Sequence, residues 1–163
     1  MGDRDERPAP LPGHNRNGAG RGTHSRGRHL SATYAVVHGR TTADYVNTGQ
    51  WSKKAITEAK RYCKVNVAAD AGGNYSTVPS QAALKLSPGA AYLHYTPNET
   101  IGGVEFNYVP QSGEVPLVGD FSSTILSRPL DVSKFGLIYA GAQKNIGPSG
   151  LVVVIVREDL IGK

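Results

Sequence analysis

The chain has 163 residues, the length of one ordinary domain, and 39% of them are apolar, a share near the low end for a well-packed core. A single cysteine, Cys63, excludes an intramolecular disulfide and a cysteine-based metal site, and fits a reducing, cytoplasmic setting. The formal charge of +5 suggests nucleic acid until it is divided: residues 1–40 carry +4, from seven arginines and three acids, and residues 41–163 carry only +1.

Residues 1–40 are rich in Arg, Gly, His and Pro and show no apolar periodicity before Leu30. Such a segment buries too little apolar surface to offset the entropy of ordering it, so disorder is the expectation. Arg21-Gly22, Arg26-Gly27 and Arg28 have the spacing of an arm that touches phosphates. With no Phe or Trp and only Tyr34 to stack on bases, nucleic acid is not the expected partner. The four histidines of this segment lack paired metal-ligand spacing, and no metal is expected.

From Thr41 onward short β-prone runs alternate with helical ones. Thr41–Val46 reads as a strand. Gln50–Lys64 reads as a helix, with Trp51, Ala55, Ile56, Ala59, Tyr62 and Cys63 on one stripe and charged residues opposite. Val65–Ala69 is expected as a strand, Pro79–Leu86 as a short helix and Ala90–Tyr95 as a strand. Val115–Gly119, Gly136–Ala140 and Leu151–Arg157 complete the strands, the last lacking alternation and therefore expected to be buried on both faces. The pattern predicts an α/β layered sheet. No apolar run is long enough to span a bilayer, and no secretory signal is visible; a soluble protein is expected.

Two of these strands end in chemistry-bearing residues. Val115–Gly119 runs into Asp120, and Gly136–Ala140 leads to Lys144, flanked by Ala142, Gln143 and Gly147. An acid and a lysine so placed suit pyridoxal phosphate: the lysine holds the aldehyde as a Schiff base and the acid keeps the pyridine nitrogen protonated. Each residue also has a plainer reading. Lys144 fits a solvated loop, Asp120 a helix N-cap, Trp51 the helix core and Pro97-Asn98 a turn, while His94 reads as structural.

The strings Asp120-Phe-Ser-Ser-Thr-Ile-Leu-Ser-Arg-Pro129, Asp131-Val-Ser-Lys-Phe-Gly136 and Tyr139-Ala-Gly-Ala-Gln-Lys-Asn-Ile-Gly-Pro148 closely resemble phosphoserine aminotransferase, a fold-type I, class V family. The resemblance runs from near Thr41 to Lys163, roughly three quarters of the chain and about a third of a typical member. It implies a mainly parallel sheet flanked by helices, part of the large domain of a pyridoxal phosphate-dependent transferase, with an antiparallel final strand. It also implies that residues 41–163 form this partial domain and that residues 1–40 are foreign to it, as a reading-frame error or truncated gene would leave them.

The same resemblance assigns roles. Lys144 becomes the Schiff-base lysine and general base, and Asp120 the partner of the pyridinium nitrogen. Trp51, in Gly49-Gln-Trp51, stacks on the ring; Thr100, in Asn98-Glu-Thr100, reaches its oxygen; Gln143 contacts the cofactor phosphate. The implied reaction takes an amino group from L-glutamate to 3-phosphohydroxypyruvate in a homodimer, for serine and, in bacteria, pyridoxine synthesis. The family's phosphate loop and substrate-anion residues have no counterpart in this sequence, so little turnover is expected of this polypeptide alone. Another class V enzyme, such as a cysteine desulfurase or alanine–glyoxylate transaminase, or a non-enzymatic nucleic-acid binder, are the alternatives.

Overall fold

The computed structural model describes residues 41–161; the disorder expected for residues 1–40 lies outside them. Eight strands are present among the described residues: β1 (Thr42–Asn47), β2 (Lys64–Asp70), β3 (Leu93–Tyr95), β4 (Asn98–Glu99), β5 (Val104–Glu105), β6 (Leu117–Asp120), β7 (Leu137–Gly141) and β8 (Val152–Val156). One α-helix, α1 (Gln50–Ala59), connects β1 to β2. Six strands form one sheet in the order β2-β1-β3-β6-β7-β8. Every pairing in it is parallel except β7 with β8, which is antiparallel as the resemblance implied.

Alternate residues of the central strands supply two separate apolar layers, because successive side chains of a strand point to opposite faces. Tyr45, Tyr92, Val118, Leu137 and Tyr139 lie on the face covered by Ala55, Ile56 and Ala59 of α1. Val46, Leu93, Leu117, Ile138 and Ala140 face the other way, packing with Tyr95, Phe106, Phe121, Ile125 and Phe135. Burial on both faces explains why these strands read as continuous apolar runs.

Three expectations change. The helix stops at Ala59, five residues short of Lys64, because Lys64 N–H bonds Thr41 C=O and opens β2. The intervening turn keeps helical pitch, with the N–H groups of Tyr62 and Cys63 on Ala59 C=O, so apolar spacing persists after the helix has ended. Pro79–Leu86 forms only a 3-10 turn at Gln81–Ala83. Beyond it the chain is drawn out straight, since Lys85 N–H donates to Ala68 C=O and Lys85 C=O accepts from Asn66 Nδ2.

The third change concerns β8. Among the described residues it pairs only with β7, at the sheet edge, and Val153, Val154 and Ile155 are 37–41% exposed rather than buried on both faces. One element was not anticipated. β4 and β5 form a small antiparallel hairpin whose connecting loop carries Thr100. It matters because it closes over the start of α1.

Candidate active site

The carboxyl ends of the parallel strands gather at one rim of the sheet. β1 and β3 are neighbours there, yet the chain leaves β1 for β2 on one side and reaches β3 on the other, which opens a crevice between their following loops. Trp51 comes from the segment after β1, Thr100 from the hairpin after β3, Asp120 from the tip of β6 and Lys144 from the turn after β7.

Glu99 joins the first two. It is fully buried, and its carboxylate accepts from Trp51 N–H at 2.9 Å and Ser52 N–H at 2.7 Å. The first N–H groups of a helix have no partner within it and carry partial positive charge, so a carboxylate is the natural cap. Ser52 Oγ completes the cap by accepting from Thr48 N–H and Gly49 N–H, each at 2.9 Å. Position 49 must be glycine for this, because a Cβ there would stand 2.7 Å from the Glu99 carboxyl carbon.

With the hairpin fixed on the helix, Thr100 meets Trp51 and Lys144. Trp51 Nε1 donates to Thr100 Oγ1 at 3.3 Å. Lys144 Nζ donates to Thr100 Oγ1 at 2.8 Å and to Ser123 Oγ at 2.7 Å, and lies 5.8 Å from the Trp51 ring centroid. Lys144 itself is exposed, but partial burial of its amine among these groups pushes its pKa below the ordinary lysine range. The carboxylates of Asp120 and Glu99 oppose that shift without cancelling it.

Asp120 is 3% exposed. Its Oδ1 accepts from Ser122 N–H at 3.1 Å and from Ser122 Oγ at 2.6 Å, the local turn that a cap reading foresees. Its Oδ2 is buried and has no hydrogen-bond partner among the described residues. A buried carboxylate oxygen without a donor is costly.

The geometry therefore brings Trp51, Thr100 and Lys144 into contact and sets Asp120 within electrostatic reach. Gln143 is half-buried next to Lys144. His94 lies apart, fully buried, with Nε2 3.0 Å from Tyr139 Oη. Glu99, Ser122 and Ser123 escaped the sequence reading. A buried glutamate has no hydropathy signal, and the doubled serine after Asp120 was the one legible trace. A cavity of about 270 Å³ lies beyond the turn after β6, between Phe106, Phe121, Ile125 and Leu130, and does not include the lysine.

The family model for aminotransferase class-V matches residues 22–163. The chain belongs to the class-V aminotransferases. That match starts upstream of Thr41, where the resemblance by motif begins. A class-V relative, the phosphoserine aminotransferase of Pseudomonas syringae pv. syringae (strain B728a), is 66% identical over 122 residues, 74% of this chain and 34% of that protein. The solved phosphoserine aminotransferase from Bacillus circulans subsp. alkalophilus is 51% identical with a TM-score of 0.75, over 82% of this chain and 39% of that one. The pyridoxal phosphate-bound phosphoserine aminotransferase from Trichomonas vaginalis is 38% identical with a TM-score of 0.74, covering 86% and 39%. The chain thus spans about a third of the length of the curated relatives it matches. The class V enzyme expected from the motifs is the family found, and the fold is that of these transferases.

Proposed function

We propose that this chain forms the cofactor-holding part of a phosphoserine aminotransferase, which moves the amino group of L-glutamate to 3-phosphohydroxypyruvate and yields O-phospho-L-serine and 2-oxoglutarate. The observation that carries the reading is the buried, unbonded Oδ2 of Asp120 beside the crevice that holds Lys144. Pyridoxal phosphate fits both: its protonated ring nitrogen is the donor Oδ2 lacks, and its aldehyde suits an amine with a lowered pKa. The names of the relatives, and the pyridoxal phosphate bound in the Trichomonas vaginalis structure, support the same choice.

When bound, the cofactor supplies an aldehyde carbon that takes up amines and a cationic ring that spreads the electron pair left at a substrate carbon. The chain's own residues do the rest. Asp120 Oδ2 holds the proton on the ring nitrogen. Lys144 Nζ would anchor the aldehyde and, when its amine is free, would take up and return the proton of the substrate's Cα. Trp51 offers a flat apolar wall, Thr100 Oγ1 a hydrogen bond to the ring oxygen, and Gln143 a contact to the phosphate.

Substrate anions are best clamped by the two-pronged guanidinium of arginine, and none of the described arginines is unpaired. Arg61, Arg128 and Arg157, the arginines of the described residues, each pair with an acid: Glu58, Glu105 and Asp159. Turnover by the 163-residue chain alone is therefore expected to be slight. No helix among the described residues is long and apolar enough to cross a membrane. A cytoplasmic homodimer serving serine and pyridoxine synthesis completes the proposal, and nucleic acid has no part in it.

Borohydride reduction of the chain with pyridoxal phosphate, followed by peptide mapping, tests the site. A stable pyridoxyl group on Lys144 is expected. Labelling that falls on the other lysines instead would overturn the assignment.

A further inference from the structure

The clue is a hydrogen bond out of place in the sheet. β6 and β7 run parallel with Asp120 opposite Tyr139, and Phe121 N–H continues the ladder onto Tyr139 C=O. In a parallel ladder the next bond would join Gly141 N–H to Phe121 C=O. It is not made. Phe121 C=O is turned inward, where it accepts from the N–H groups of Thr124 and Ile125. Gly141 N–H donates instead to Ser122 Oγ at 3.0 Å.

That substitution fixes the direction of a second bond. Ser122 is 1% exposed, and the backbone N–H of Gly141 can only donate, so Ser122 Oγ accepts there. Its single hydroxyl proton is thus free to point at Asp120 Oδ1, 2.6 Å away. Ser122 N–H donates to the same oxygen, leaving no further donor for Oδ2. One serine therefore ties the strand that carries the acid to the strand that leads to Lys144, and decides which carboxylate oxygen stays bare.

We infer that Ser122 is a positioning residue: it locks the Asp120 carboxylate in the rotamer that presents Oδ2 to the ring nitrogen of the cofactor. The inference rests on the reading of Asp120 under the proposed function. Its chemistry is that of a donor aligning an acceptor; no bond to carbon is made or broken.

Two probes separate the roles. Pyridoxal phosphate carries the ring nitrogen, whereas 1-deazapyridoxal phosphate has a C–H in its place and is otherwise alike. Titrating the chain with each, and following the fluorescence of Trp51, its sole tryptophan, yields a preference for the nitrogen-bearing ring. In the unaltered chain that preference is expected to be roughly 10- to 100-fold, the range for a hydrogen bond to a charged group. Ser122→Ala is expected to cut it by roughly fivefold to tenfold, while affinity for the deaza compound stays within about twofold. Ser122→Thr, which keeps the hydroxyl, is expected to restore the preference.

A Ser122→Ala chain that loses affinity for both compounds equally, or for neither, would overturn the positioning role. An unaltered chain with no preference between the rings would instead sink the reading of Asp120 itself. Should alanine destabilise the fold, Ser122→Cys gives the same comparison at smaller amplitude, because a thiol is a weak donor.

Discussion

Across β1, β3 and β7, buried polar groups find each other. Tyr45 Oη and Tyr92 Oη are 2.7 Å apart, Tyr45 stacks on His94 at 4.8 Å, and His94 Nε2 meets Tyr139 Oη at 3.0 Å. At the tip of β6, between the same strands, Asp120 is nearly as buried yet keeps one oxygen unbonded. The first group stabilises the layer facing α1. Under the proposed function, the second gives up some stability for binding the cofactor. Burial pushes the Tyr92 hydroxyl far above the ordinary tyrosine range, with the nearby Tyr45 adding to the shift, so this hydroxyl stays neutral at every physiological pH.

Breaking the tyrosine row should give the largest effect. Tyr139 is fully buried, and Tyr139→Ala would remove a ring packed among Val118, Leu137 and Tyr45. Truncating a buried aromatic costs about 3–5 kcal/mol, a large part of the stability of a chain this size. Urea unfolding should show that loss. A change under about 1 kcal/mol would mean that the row does not hold the sheet together.

Asp120→Asn should do the opposite. The side chain keeps its shape and can still accept from Ser122 at Oδ1, so the unfolding midpoint should barely move. Pyridoxal phosphate would then face an amide where it needs a charged acceptor, and its affinity should fall roughly 10- to 100-fold. A substitution that lowers stability strongly but leaves cofactor affinity alone would place Asp120 with the tyrosines, as a structural residue.

This contrast also separates what the sequence made legible from what it hid. The strands of the sheet read as apolar runs because both faces are covered, and each was found within a few residues of its place. β8 has the same composition, Val152-Val-Val-Ile-Val156, but stands at the edge, and composition alone does not say how much neighbours will cover. Asp120 was legible because it follows an apolar run directly, and Lys144 because it is the single charge in the small-residue stretch after another. Glu99 and Ser122 were not. Their roles depend on helix ends and ladder bonds brought together by the fold, Glu99 from 48 residues away from Trp51 and Ser122 from 19 away from Gly141. The shortened helix failed for a related reason: a turn of helical pitch, its last N–H groups bonded back to Ala59 C=O, keeps the apolar spacing after the helix has ended.

The smallest effect concerns Lys144, at the open end of the same contrast. Its amine is neutral only above its pKa, and the neutral form attacks an aldehyde or acylating reagent. Partial burial lowers that pKa below the ordinary 10.5, against the pull of Asp120 and then Glu99. Labelling with dilute acetic anhydride across a pH series should therefore show Lys144 reaching half its maximal reactivity at a lower pH than a free lysine amine. Asp120→Asn removes the larger opposing charge, so in that variant the midpoint should fall further still. A midpoint that rises instead, or one unmoved by the loss of Asp120, would show that the two side chains do not share an electrostatic environment. The crevice would then lack the link between acid and amine on which its chemistry depends.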